Sequence, residues 1–141
     1  LLVANGVAPA NTIASDGSLD GLGGPGTRDA LEAAQRNHGL KADRIAGPNT
    51  YGKLLRGLRV ADLSDVTDNY RSWVRGIHVG VVQSLLVANG FAPPNTIDSK
   101  GNVDGVGGPG TRKALVNFQK SRRLKADAIV GPKTYRALAV K

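Results

Sequence analysis

Apolar residues in this chain fall in short runs at helical spacing, and most runs begin just after the same polar frame. Ala30, Leu31 and Ala34 share one face of a helix predicted after Gly24, and Ala114, Leu115 and Phe118 share the matching face after Gly108. Shorter runs follow Gly47, with Tyr51, Leu54 and Leu55, and Gly131, with Tyr135 and Leu138. Ile77, Val79, Val82, Leu85, Leu86 and Phe91 are spaced for a further helix in spite of Gly76 and Gly80. Its counterpart is the opening LLVANG, read as the tail of a helix closed by Gly6, so that helix's first half is expected ahead of Leu1.

The frame is an aspartate, three residues, Gly-Pro, any residue, then threonine. It occurs at Asp20 to Thr27, Asp43 to Thr50, Asp104 to Thr111 and Asp127 to Thr134. Proline suits the first turn of a helix, where its missing N–H costs nothing, and the glycine before it is read as supplying backbone angles closed to other residues. Each frame therefore predicts a helix start. The eight residues Asp20, Thr27, Asp43, Thr50, Asp104, Thr111, Asp127 and Thr134 are assigned structural capping, the aspartates facing orphan N–H groups and the positive end of the helix dipole.

The frames lie on a duplication. Residues 1–54 align with 85–138 without a gap and are identical at 34 of 54 positions. The expected fold is all-α: two tandem three-helix bundle modules with long loops. The loop between helices 1 and 2, VAPANTIASDGSLDG or FAPPNTIDSKGNVDG, is rich in turn residues. In it Ile13 with Leu19, or Ile97 with Val103, are placed to form a short β-hairpin. The loop reads either as functional or as a packed connector held by its isoleucine. Ile45 and Ile129 are expected inside. Module 1 is assigned residues 1–55 and module 2 residues 73–141, with 56–72 as a polar linker that matches nothing in the other half. Ser72 is positioned to cap a helix containing Trp73, and the lone tryptophan reads as a packing anchor. Ala34 stands where module 2 has Phe118, so module 1 must fill that volume differently or rest on its neighbour.

Composition narrows the function classes. The chain has no cysteine and no methionine, which leaves the redox compartment open and removes thiol chemistry. No run is long and apolar enough to span a membrane. His38 and His78 have no partner at metal-ligand spacing, and no serine stands in a nucleophile elbow, so neither catalysis, metal nor cofactor is expected. The net charge of +8 raises nucleic-acid binding. Its distribution argues otherwise: residues 1–54 sum to zero, 55–84 to +1 and 85–141 to +7, so basicity is an accessory of one copy. Such a face suits any anionic polymer, and equally a merely solvated surface.

The second half resembles the peptidoglycan-binding domain found beside bacterial and phage wall hydrolases. Val79, Val82, Gln83, Leu86, Gly90 and Phe91 match that family's first segment, Asp104, Gly105, Gly108, Thr111, Ala114, Leu115, Phe118 and Gln119 its second, and Leu124, Asp127, Gly131, Thr134 and Leu138 its third. The first half is similar through Gly6, Asp20, Gly21, Gly24, Thr27, Ala30, Leu31, Gln35, Gly39, Leu40, Asp43, Gly47, Thr50 and Leu54. The chain departs from the family pattern at Gly23 and Gly107, where an aromatic is usual, and at Arg44 and Ala128, where glycine is usual.

The resemblance implies a non-catalytic segment that binds cell-wall peptidoglycan through stem peptide and amino sugars, with anionic wall polymers as further partners. It would hold a hydrolase or virion component, joined ahead of Leu1, at the wall. The implied location is extracellular and wall-bound, or on a virion, with no membrane partner. Under that resemblance the candidate ligand residues are the duplicated polar ones beside helix starts and in the long loop: Asn11, Thr12, Arg28, Tyr51, Asn95, Thr96, Arg112 and Tyr135. The competing classes are an assembly module of a phage particle or secreted complex, and non-specific DNA binding through module 2.

Overall fold

The computed structural model describes residues 1–7, 23–56, 58–94, 96–99 and 103–139. Among the described residues there are five α-helices: α1 (Pro25–Asn37), α2 (Pro48–Leu55), α3 (Ile77–Ala88), α4 (Pro109–Ser121) and α5 (Pro132–Ala139). All but α3 begin at the proline of a Gly-Pro pair. The glycine carbonyl then accepts the first helical bond, from the N–H of Arg28, Tyr51, Arg112 or Tyr135, at 2.9 to 3.0 Å. Gly24, Gly47 and Gly108 are in ordinary extended backbone, with φ of −85°, −89° and −97°, so no special angle is needed there. At Gly108 the requirement is space: a Cβ would lie 3.2 Å from the indole of Trp73.

Helix ends are duplicated too. After α1 the N–H of Gly39 bonds to Arg36 O and that of Leu40 to Gln35 O; after α4 the N–H of Arg123 bonds to Lys120 O and that of Leu124 to Gln119 O. This closure needs a left-handed residue at its turn. Gly39 (φ 65°) adopts it freely, whereas Arg123 (φ 56°) is an exposed arginine whose side chain makes no hydrogen bond or ion pair among the described residues. Arg123→Gly is therefore expected to stabilise the second half by about 0.5 to 1 kcal/mol, read as a raised urea midpoint.

Each half ties the end of its first helical segment to its last helix through one asparagine. Asn5, in a 3₁₀ turn at Val3–Asn5, donates to Leu54 O at 2.8 Å, and Asn89 donates to Leu138 O at 2.8 Å. The antiparallel bridge between Ile97 and Val103 forms as the alternation predicts. Ile13 and Leu19 lie outside the described residues.

The stretch read as a linker is built into the second half. β1 (Ala61–Asp62) pairs antiparallel with β4 (Ile129–Val130), and β2 (Val74–Arg75) pairs with β3 (Val106–Gly107). Ala61 and Leu63 alternate inward around an exposed Asp62, and with Val66 they join Val82 and Leu86 of α3, Leu115 and Phe118 of α4, and Leu138 of α5 in one core. Leu63→Ala should accordingly cost about 2 to 4 kcal/mol, a core-sized loss at a position the repeat does not contain. Chemical denaturation followed through Trp73 measures it. Trp73 is not in a helix. Its Nε1 donates to Thr67 O at 2.9 Å, Ser72 Oγ instead donates to Asn69 O at 2.6 Å, and α3 begins only at Ile77.

The first half is lightly cored. Among the described residues its buried apolar side chains are Ala30, Ala34 and Leu54, while Leu1, Ala4 and Leu55 pack against the core of the second half and α2 lies against α5. Ile45, expected inside, is 67% exposed. Its counterpart Ile129 is half-buried because β1 lies beside it, and among the described residues no strand pairs with Ile45.

Candidate functional site

Three of the four frames are held by a buried glutamine from the helix before them. Gln35 Nε2 donates toward Asp43 Oδ1 (3.0 Å), Ile45 O (3.1 Å) and Thr50 Oγ1 (3.2 Å), while its Oε1 accepts the N–H of Arg44 (3.0 Å). Gln83 repeats this with Asp104 (2.9 Å), Val106 O (3.0 Å), Thr111 (3.0 Å) and the N–H of Gly105 (2.8 Å). Gln119 does so with Asp127 (3.2 Å), Ile129 O (3.1 Å), Thr134 (3.4 Å) and the N–H of Ala128 (3.0 Å). In each case the aspartate also accepts the N–H two residues on, from Ile45, Val106 or Ile129, in an Asx turn. Among the described residues no buried side-chain polar atom lacks a partner.

This alters the capping assignment. Asp43, Asp104 and Asp127 do not cap the helices; their carboxylates are spent on the loop and on the glutamine amide, and Thr50, Thr111 and Thr134 receive the same amide. Asp20 lies outside the described residues, and Thr27 is half-buried in the first turn of α1. The residue after the aspartate must point its N–H at the glutamine, which puts it in the left-handed region. Gly105 (φ 69°) fits at no cost, and Arg44 (φ 65°) and Ala128 (φ 60°) are held there against preference. Those bonds pull the Asp43 carboxyl below its ordinary 3.8, the Ile45 N–H first and the Gln35 amide next. The turn's stabilisation is therefore complete above that value and is lost as pH falls through the lowered one.

The candidate ligand residues separate into three groups. Asn11, Thr12 and Asn95 lie outside the described residues. Thr96 and Tyr135 are interior: the Thr96 hydroxyl donates to Pro93 O at 2.8 Å, and the Tyr135 hydroxyl donates to Arg59 O at 2.9 Å. Burial pushes the Tyr135 phenol up to about 12. Neither offers a polar atom to a ligand. Arg28, Arg112 and Tyr51 remain accessible, Arg28 beside Asp29 at 3.4 Å.

The two halves present their cations differently. In the first, Arg36 and Arg44 both bond to Glu32, which lowers the Glu32 pKa, chiefly through the Arg44 bond, and raises that of Arg44. In the second, Lys125 approaches Asp127 at 3.9 Å, while exposed Arg112, Lys113, Lys120, Lys133 and Arg136 make no ion pair among the described residues. Arg122 lies over the Phe118 ring at 5.4 Å and donates to Asn89 at 3.2 Å, at the edge of an open depression of about 480 Å³ also lined by Val87, Ala88 and Gly90. His78 is half-buried, its pKa lowered by burial and then by Arg59, and among the described residues no group of acidic or histidine side chains is arranged to hold a metal.

The glutamines are what residue-by-residue reading missed. Gln35 repeats as Gln119, but Gln83 has no counterpart among residues 1–54 and sits 21 residues before its aspartate whereas the other two sit 8 before theirs, so no fixed spacing announces the set.

Comparison with known proteins gives a consistent picture. A family model described as "Putative peptidoglycan binding domain" matches residues 3–54 and 75–138. The chain is 31% identical over 128 residues to a probable N-acetylmuramoyl-L-alanine amidase of Bacillus licheniformis, covering 82% of this chain and 34% of that protein. It is 32% identical over 109 residues to the N-acetylmuramoyl-L-alanine amidase CwlM of Mycobacterium tuberculosis, covering 77% of this chain and 25% of that one. The chain thus spans about a third and a quarter of the length of these relatives. No solved structure matches it significantly.

Proposed function

The chain belongs to the peptidoglycan-binding domain family, and on that premise we propose that it binds cell-wall peptidoglycan without itself catalysing a reaction. The observation that carries the reading is the family match across both halves, 3–54 and 75–138. We further propose that the segment holds an attached wall hydrolase, as the amidase relatives suggest, or a virion component, against its polymer.

Binding in this reading is ionic and hydrogen-bonded. Trp73 is committed to Gly108, and Phe91 and Phe118 to each other, which favours contacts to stem-peptide carboxylates over stacking on sugar rings. Arg112 and the unpaired cations around it are the proposed contacts in the second half; Arg28 and Tyr51 are those in the first. Two weak sites on one repetitive polymer reinforce each other by raising the local concentration of the second.

Co-sedimentation with purified sacculi tests this. The chain is expected to pellet saturably, with a salt-sensitive component that Arg112→Ala weakens more than Arg28→Ala, because Arg28 is already partnered by Asp29. A chain that stays in the supernatant where an established wall-binding module pellets refutes the reading. Equal retention by duplex DNA at physiological salt would favour the nucleic-acid alternative.

A further inference from the structure

The turn that closes α4 gathers four cations in six residues, Lys120, Arg122, Arg123 and Lys125, and no acidic residue stands between Asp104 and Asp127. All four are exposed. The same turn in the first half, residues 36–41, holds only Arg36 and Lys41, with His38 and Gly39 where the second half has the two arginines. Arg36 is also neutralised by Glu32, whose position in the second half is Val116. Among the described residues only Lys125 of the four approaches an acid, Asp127 at 3.9 Å.

Closing the helix does not account for the arginines. The last turn of each helix already has a cation for its dipole, Arg36 or Lys120. Arg123 holds a left-handed backbone that costs an L side chain stability and costs Gly39 nothing. Arg44 and Ala128, the other left-handed residues with side chains among those described, aim their N–H groups at a glutamine oxygen. Arg123 makes only the bond to Lys120 O that Gly39 makes to Arg36 O. Strain kept at an exposed residue whose side chain has no partner in the fold points to a partner outside it. Arg122, by contrast, is built in. Its guanidinium lies over the Phe118 ring at 5.4 Å and gives one N–H to Asn89 at 3.2 Å, which aims its other donors outward at the rim of the depression of about 480 Å³. The first half has Ala34 in place of that ring.

We propose that this turn is a second binding site, for the phosphate groups of a linear phosphodiester polymer. The proposal rests on the peptidoglycan reading for its setting at the wall. Arginine presents paired donors that match phosphate oxygens. The backbone N–H groups of Arg122, Arg123 and Leu124 are all engaged by α4, so recognition falls to side chains and tolerates whatever joins the phosphates. Four cations within one turn exceed what a single carboxylate can neutralise, and they suit an anion whose charge repeats at short intervals. They also sit at one corner and are not spread along a helix. A flexible chain can bring successive phosphates to that corner, which a stiff duplex cannot. The depression, walled by Val87 and Ala88, leaves room for the uncharged link between two phosphates.

The test uses the whole chain, poly(glycerol phosphate) as the probe, and sacculi stripped of phosphodiester polymers with hydrofluoric acid. The chain is expected to bind the polymer saturably at physiological salt, more tightly than poly-L-glutamate or duplex DNA. Arg122→His combined with Arg123→Gly gives the turn the residues that the same closure accepts at His38 and Gly39. This variant should bind the polymer about tenfold more weakly. Its slope of log K against log salt should be shallower by about 1.4, the share of two cations on a single-stranded polyanion. It should pellet with stripped sacculi as the parent does. The proposal is overturned if the polymer does not bind, if the variant binds it as well as the parent, or if poly-L-glutamate competes equally, meaning charge attraction only. Tighter binding of duplex DNA overturns it in favour of nucleic acid. A variant that no longer pellets with stripped sacculi overturns it too, because the turn then belongs to the peptidoglycan site. A chain that binds the polymer but not stripped sacculi upholds this site and refutes the peptidoglycan reading instead.

Discussion

Replacing Gln119 by leucine is expected to unfold the second half of the chain at room temperature. Leucine nearly matches the volume, so the loss isolates the amide. Without it the Ala128 N–H, the Thr134 hydroxyl and the Ile129 carbonyl lose their partner in the interior, and the Asp127 carboxylate loses its amide donor. An unsatisfied buried group costs about 1 to 3 kcal/mol, so the three together cost about 3 to 9 kcal/mol. A domain of this size commands roughly 3 to 5 kcal/mol in all. Gln119→Glu separates shape from hydrogen bonding. At neutral pH its carboxylate sets an oxygen where the amide nitrogen now lies 3.2 Å from Asp127, and the fold should fail. Protonated, the new group can donate once more. Its pKa is raised in the fold, so its stabilisation is present at low pH and lost as pH rises. Urea unfolding at acidic and neutral pH, read through the fluorescence of Trp73, decides the matter. A loss below about 1 kcal/mol for Gln119→Leu would show that the amide does not hold the frame.

Phe118→Ala is the second large effect, expected at about 3 to 5 kcal/mol. The ring is fully buried, meets Phe91 edge to face at 5.5 Å and 87°, and carries the Arg122 guanidinium over it at 5.4 Å. Only a small part of the loss belongs to the cation. Arg122→Ala removes it from an exposed position and should cost about 0.5 to 1 kcal/mol. If the two substitutions prove equally costly, the arginine and not the ring organises this corner. The same denaturation experiment measures both.

Much of the scaffold could be read from sequence because it rests on local or duplicated positions. A Gly-Pro pair sets a helix start within a few residues of itself, and the alternation around Ile97 and Val103 needs only a short loop to bring them together. Tertiary partners were less legible. Tyr51 and Tyr135 occupy the same place in identical frames, yet one phenol is tied to Arg59 and the other is not, because a strand passes beside only one of them. Ile45 and Ile129 diverge for the same reason. Two-residue strands such as β1 fall below any periodicity that a sequence can display, and the charge around Asp62 and Asp65 hides the inward side chains Ala61 and Leu63. Thr96 and Tyr135 are polar and duplicated, as a ligand contact would be, but both hydroxyls serve the fold.

The Arg59 to Tyr135 bond spans 76 residues, and this separation bears on how the chain is made. During synthesis the segment that completes the second core leaves the ribosome early, with Ala61, Leu63 and Val66 apolar and unclaimed until α5 has followed. Contacts so distant in sequence slow folding and prolong the exposure of sticky surface. The aspartates at 62, 65 and 68 give that waiting stretch three negative charges, which keep it soluble and apart from its like until its late partner arrives.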